Sequence, residues 1–206
     1  RHFRQSGVIG NATVLAGTWY EPLWSGTRGE ADWSTGLEWK RIRSRESGAP
    51  VGKDDLRLLR MGPTIRAVDR WGRSAFSTEL SMGFDRFLGG SRKGDSAASR
   101  SQTGGQFTRV VLSGGRLHPL WAGCELFTRG SWQLTNDRLP PTEAMRLGGQ
   151  DTVRGYPEGE YLGDYGYVGS VELRHAVPLP RQADDVTLTL LGFADGGAAF
   201  ARNPAA

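Results

Sequence analysis

The sequence predicts an all-β chain, an antiparallel transmembrane β-barrel, and three observations carry that prediction. Period-2 alternation of apolar and polar residues recurs along the chain, whereas helical periodicity is weak. The strand-like runs are long, spaced by about 20 residues, where soluble sandwiches space theirs by about 8–12. Short turns and long polar loops alternate between them, the layout of an outer-membrane barrel.

Composition is compatible with this reading but does not choose it. The 206 residues include 30 Gly and 7 Trp. Gly is costly inside helices, and Trp suits an interface with one wet and one apolar side. Mean hydropathy is −0.45. No run of 18 apolar residues exists, so no transmembrane helix is encoded. Membrane strands alternate lipid-facing and lumen-facing residues and so average to soluble values. On composition alone a turn-rich soluble β domain fits better. Strand length and loop rhythm reverse that order.

The first strand is expected at about 7–22, followed by a turn with Ser25, Gly26 and Gly29. The second, about 30–46, sets Ala31, Trp33, Leu37 and Trp39 against charged neighbours. Ser47-Gly48-Ala49-Pro50 breaks it, and 47–54 is read as a longer loop. The third runs about 55–70 to the tight turn Trp71-Gly72-Arg73. The fourth, about 74–88, carries Phe76, Thr78, Leu80 and Met82 at intervals of two. The polar stretch 89–105 reads as an exposed, mobile loop.

The fifth and sixth strands are expected at about 106–117 and 120–135, joined at His118-Pro119. A long loop, 136–164, precedes the seventh at about 165–177. Pro178-Leu179-Pro180 marks a turn before the eighth, about 185–200. The chain carries no domain boundary and no repeat beyond this hairpin rhythm.

The net charge is +4. Its arginines are scattered at strand spacing and form no phosphate track. Lys40, Arg41, Arg43 and Arg45 read as a solvated strand end or loop, and no nucleic-acid partner is expected. Cys124 stands alone in an apolar-alternating run and reads as a packed thiol. His2, His118 and His175 are scattered, and Ser81, Ser113 and Ser170 lie in no Gly-x-Ser-x-Gly pattern, so no enzyme is expected. Residues 148–155 lack the Gly-Lys-Ser/Thr ending of a phosphate loop. Glu158, Glu160 and Asp164 could suggest an acid/base pair or a calcium site; a polar loop tip explains them more simply. No metal or cofactor is expected.

The loop 136–164 is where the residues become specific. Leu147-Gly148-Gly149, Val153-Arg154-Gly155-Tyr156, Gly163-Asp164-Tyr165-Gly166 and Val171-Glu172-Leu173-Arg174 follow one another there. Phe193-Ala194-Asp195-Gly196-Gly197 lies on the eighth strand. This set resembles the TpsB transporters of two-partner secretion, the haemolysin secretion/activation type, within the superfamily of outer-membrane assembly barrels. The Val-Arg-Gly-Tyr element is similar across the superfamily. The following Gly-Asp-x-Gly and Glu-Leu-Arg resemble the secretion branch.

The resemblance is specific over about 146–200 and general over 1–145. It implies a loop folded into the barrel lumen, with Gly148, Gly149, Val153, Arg154, Gly155, Tyr156, Asp164 and Gly166 as its functional residues. It implies a wall motif of Phe193, Asp195 and Gly197, with Arg154 pairing to Asp195. Alternation agrees, because Asp195 shares a strand face with Thr187 and Thr189 and opposes Leu188 and Leu190. A carboxylate where water is restricted needs a partner, and arginine offers a forked set of donors.

The resemblance further implies a barrel of about sixteen strands, of which this chain is roughly half. Periodic strands beyond Ala201 and periplasmic POTRA domains before Arg1 are then expected in a longer protein. The expected location is the bacterial outer membrane, among its lipids. The expected activity is export of a partner polypeptide. An assembly barrel that inserts other outer-membrane proteins is the alternative, and a soluble β-rich binding domain is a third reading.

Overall fold

The computed structural model describes residues 8–46, 49–121, 123–177 and 188–202. Ten strands are present among them: β1 (Val8–Gly26), β2 (Gly29–Glu46), β3 (Ala49–Asp69), β4 (Gly72–Gly83), β5 (Phe107–Pro119), β6 (Cys124–Thr135), β7 (Met145–Leu147), β8 (Tyr161–Gly163), β9 (Tyr165–Val177) and β10 (Leu188–Phe200). Eight of them form one sheet in the order β1-β2-β3-β4-β5-β6-β9-β10, and β7 pairs with β8 as a separate ribbon. Every neighbouring pair is antiparallel. No helix among the described residues is long and apolar enough to cross a membrane.

The sheet is inside-out relative to a soluble domain. Partnered residues across a strand pair share a face, so register assigns every side chain to one of two surfaces. One face carries Leu15, Trp19, Leu37, Phe76, Trp132, Tyr167, Leu173 and Leu190, all exposed. The opposite face, the inner face below, carries Glu38, Lys40, Arg60, Glu79, Arg109, Ser170, Glu172 and Asp195. Large exposed aliphatic and aromatic groups dominate the outer face and most ion pairs lie on the inner one, while Arg41–Asp55–Lys53 and Arg116–Asp69 pair on the outer face near the strand ends. That is the alternation of a membrane barrel wall. Strand-to-strand pairing also satisfies the backbone polar groups, as lipid surroundings require.

The small buried cluster of Leu56, Leu58, Phe107 and Leu139 lies on the inner face. Leu139 comes from the loop after β6, so this core forms beneath a loop and not between two sheets.

The β1–β2, β3–β4 and β5–β6 connections lie at one end of the sheet. The connections 84–106 and 136–164 lie at the other. Pro178-Leu179-Pro180 and Thr187 lie outside the described residues.

Four sequence expectations need correction. The stretch 47–54 is no long loop, because Glu46 already pairs with Ala49 and β3 runs from there. Lys53 pairs with Asp55, which also accepts from Arg41, and Asp54 accepts from Ser99 N–H of the following loop. β5 runs to Pro119 and β6 begins at Cys124, with Leu120 N–H donating to Cys124 O and Cys124 N–H to Trp121 O, so β6 starts four residues later than expected. The fourth strand stops at Gly83, followed by a single 3-10 turn at Phe87–Gly89.

The fourth correction is the loop 84–106, which is not a loose excursion. Ser91 Oγ accepts from Asp55 N–H, and the Ser91 carbonyl accepts from Gly105 N–H. Thr103 is fully buried. Gly104 and Gly105 let the chain pack backbone against backbone where a Cβ would stand 2.5–2.7 Å from carbonyl oxygens.

Candidate functional site

Arg154 sits at the far reach of the 136–164 loop and touches the wall through almost every donor it has. Its Nε donates to Asp195 Oδ2 at 2.6 Å and its Nη2 to Asp195 Oδ1 at 2.6 Å. Nη1 donates to Glu172 Oε1 at 2.7 Å, and Nη2 also to Ser170 Oγ at 3.0 Å. The backbone N–H of Arg154 adds a bond to Asp195 Oδ2 at 3.0 Å. The guanidinium carbon lies 3.5 Å from the centre of the Phe193 ring. Hydrogen bonding to Asp195, ahead of Glu172, holds the guanidinium above its ordinary range.

Strand geometry explains the composition of this pocket. Phe193, Asp195 and Gly197 are two apart and so share the inner face of β10. Across the β9–β10 pair, Asp195 faces Ser170 and Phe193 faces Glu172. One hairpin therefore presents two carboxylates, a hydroxyl and a ring. A planar, forked cation can satisfy all of them at once; an ammonium cannot. Glu172 is additionally held by Arg174, which stacks over Phe127.

Glycines shape the loop in two different ways. Gly148 has φ +105, and a Cβ there would stand 2.2 Å from Pro157 O, so it needs both the conformation and the space. Gly155 has φ +93 but open surroundings, so its demand is conformational alone. Gly149 N–H closes the turn by donating to Tyr156 O at 3.0 Å. Gly166 lies against β10, where an added Cβ would stand 2.2 Å from Ala198 O, and it also leaves room for Met145 of the loop, whose sulfur would be 3.0 Å away. Gly197 lies close to Tyr167 O, which would be 2.6 Å from one. Val153 is half-buried. Tyr156 is exposed and meets Tyr161 edge-on at 5.8 Å.

Asp164 is not a loop tip and does not join Arg154. It is fully buried and forms a separate junction. Arg100 of the 84–106 loop donates to both its oxygens, at 2.6 and 3.1 Å. Leu139 N–H and Arg202 N–H donate to it at 2.9 and 2.6 Å. One carboxylate thus ties two loops to the end of β10.

Nothing in the sequence marks Glu143 as a site residue. It is 1% exposed and accepts from Lys40 of β2 at 2.9 Å and from Arg60 of β3 at 3.0 Å. Arg109 of β5 lies 3.1 Å away. Lys40 is therefore no solvated strand end. Its only signal in the sequence is alternation, which sets it on the face opposite Arg41. Arg41 lies over Trp39 on that other face. Cys124, read as a packed thiol, begins β6 half-buried, with its sulfur 3.2 Å from His175 Nδ1.

The loop contacts the inner face at two levels. Arg109 shares a cross-strand row with Ser81 and Arg60, and Gly115 shares one with Arg129, Ser170 and Asp195. Six residues on β5 separate the rows, about 20 Å along the strand. The loop thus runs from Glu143, near the long-loop end, down to Arg154.

Comparison with known proteins bears on the family and the fold. The model of the family described as haemolysin secretion/activation protein ShlB/FhaC/HecB matches residues 5–206. No curated protein matches the sequence. Among solved structures, CdiB from Escherichia coli superposes with a TM-score of 0.78 at 19% identity, covering 92% of this chain and 35% of that one. CdiB from Acinetobacter baumannii gives 0.71 at 16%, covering 95% and 33%. The chain spans about a third of their length, and the likeness shows a shared β-barrel fold. The chain belongs to the haemolysin secretion/activation protein family ShlB/FhaC/HecB, a β-barrel family of the bacterial outer membrane.

Proposed function

We propose that this segment is the part of a two-partner-secretion pore that holds its 136–164 loop inside the lumen, and that the whole protein exports a partner polypeptide through it. The inner face of the sheet is then the lumen wall, and the outer apolar face meets lipid. The observation that carries the reading is the grip of Arg154 on Asp195, Glu172 and Ser170. A loop with no role in transport gains little from committing a whole guanidinium to the wall. A transporter needs its lumen loop placed before the substrate arrives. The family supports secretion over assembly of other barrels.

The test uses the full-length protein expressed with its secreted partner. Arg154→Ala leaves Asp195 without its cation and Glu172 with Arg174 alone, and the loop's far end detaches. Secretion is expected to fall about tenfold or more, in keeping with the cost of unpairing buried charges. The barrel should remain folded, read as heat-modifiable migration on a gel. Undiminished secretion from a folded Arg154→Ala barrel would sink the reading. Insertion defects in other outer-membrane proteins, with secretion intact, would favour the assembly role.

A further inference from the structure

The sheet carries a charge imbalance that the 136–164 loop completes. On the inner face of β2 to β5, Lys40, Arg60 and Arg109 meet two wall carboxylates, Glu38 and Glu79. Ser81, fully buried between the two arginines, accepts from both and donates to Glu79. The wall at this level thus sets three cations against two anions. Glu143 supplies the third anion and contacts all three cations. Its backbone carbonyl also accepts from Arg109 and Gln133.

Gln133 donates as well to Asp164 O, at the other end of the loop. Asp164 in turn takes Leu139 N–H. The two ends of the loop, 136–147 and 161–164, are therefore stitched to each other and to the sheet as a stem, with the β7–β8 ribbon closing it. The arm beyond, 148–160, is built differently. Tyr156 is exposed, and among the described residues the arm's polar contacts with the wall are the Arg154 set and a long Arg129 bond to Gln150 O at 3.4 Å. Positive-φ glycines stand at both of its ends, Gly148 and Gly159.

We infer that Glu143 is a positioning residue that docks the stem independently of Arg154, so that the arm can leave the wall while the stem stays in place. Opening then means a swing of about thirteen residues about the stem, not withdrawal of the whole loop. Local opening free energies differ within one fold in this way when one segment is buried and paired and its neighbour is not. The inference rests on the transport reading only for its consequence in secretion. The docking itself does not need it.

The experiment places single cysteines in the full-length barrel, in a Cys124→Ser background. Thr142→Cys reports on the stem and Val153→Cys on the arm, through the rate of reaction with a membrane-impermeant maleimide. Arg154→Ala should raise labelling at 153 about tenfold or more and labelling at 142 less than about twofold. Glu143→Gln should raise labelling at 142 about tenfold, and Glu143→Asp should stay near the parent. Equal exposure of both positions by Arg154→Ala would overturn the inference, because the loop would then move as one body. Unchanged labelling at 142 in a folded Glu143→Gln barrel would overturn it too. If Glu143→Gln does not fold, the Arg154→Ala comparison decides alone. Labelling that shifts as stated while secretion is unaffected supports the docking and removes the transport reading of the loop.

Discussion

The Arg154 and Glu143 contacts solve one problem with opposite signs. At Arg154 the loop brings a cation to a hairpin of acids; at Glu143 it brings an anion to a cluster of cations. The Arg154 site belongs to two adjacent strands, β9 and β10. The Glu143 site gathers side chains from β2, β3 and β5. The first is specific in shape, because a forked donor meets two carboxylates, a hydroxyl and a ring. The second is specific in net charge, because any carboxylate at that point would neutralise the wall. A site defined by shape tolerates few substitutions, whereas one defined by charge should accept Asp for Glu.

Exchanging the partners is the strongest way to break this contrast. Arg154→Asp with Asp195→Arg preserves net charge across the deeper site. It removes the fork from the loop and places a guanidinium on the wall beside Glu172 and Arg174, where the backbone N–H of residue 154 no longer finds a carboxylate. Secretion should stay at the level of Arg154→Ala, reduced about tenfold or more. Restoration to half or more of the parent level would mean that charge alone defines this site as well.

Asp164 offers the next largest effect, because it belongs to neither site yet joins the two loops. Asp164→Asn keeps the volume but leaves Arg100 without its ion pair. Breaking a buried pair by removing one partner costs roughly 3 kcal/mol. Hydrogen exchange in the 84–106 segment should accelerate accordingly, while exchange near Arg154 changes little. Acceleration at both places would show that the stem and arm are coupled through Asp164 and would blur the contrast.

The difference between the two sites is also a difference in what the sequence reveals. Arg154 sits among glycines that no ordinary loop needs, and Asp195 sits where strand alternation places a carboxylate on the polar face. Both can be read from the residue pattern alone. Glu143 lies in Pro-Pro-Thr-Glu-Ala, which reads as any polar turn, and its partners come from three strands far away in sequence. Such a cluster exists only once register is known, and a one-residue slip would turn Lys40, Arg60 or Arg109 to the outer face. The eight long strands are legible from alternation. The stretch 47–54 misleads because Ser47-Gly48-Ala49-Pro50 reads as a breaker, whereas the ladder to β2 already resumes at Ala49 and Lys53 finds a partner in Asp55. The loop 84–106 misleads for the same reason: its order comes from Asp164 and Asp55, outside itself.

The smallest effects come from the arm's glycines, and they separate space from conformation. Gly148→Ala meets both obstacles, a backbone oxygen 2.2 Å from the new Cβ and a φ of +105. The base of the arm must then shift, and Arg154 should lose its alignment with Asp195. Gly155→Ala meets only the second, since nothing lies within 4 Å of the added carbon. Its cost is about 1–2 kcal/mol, the penalty for an L-residue in a left-handed conformation. Labelling at Val153→Cys should therefore rise several times more in Gly148→Ala than in Gly155→Ala, with labelling at Thr142→Cys unmoved in both. If the two substitutions open the arm equally, conformation alone sets the arm's position. If Gly148→Ala also exposes the stem, the base of the arm is no hinge, and the shape-defined and charge-defined sites act as one.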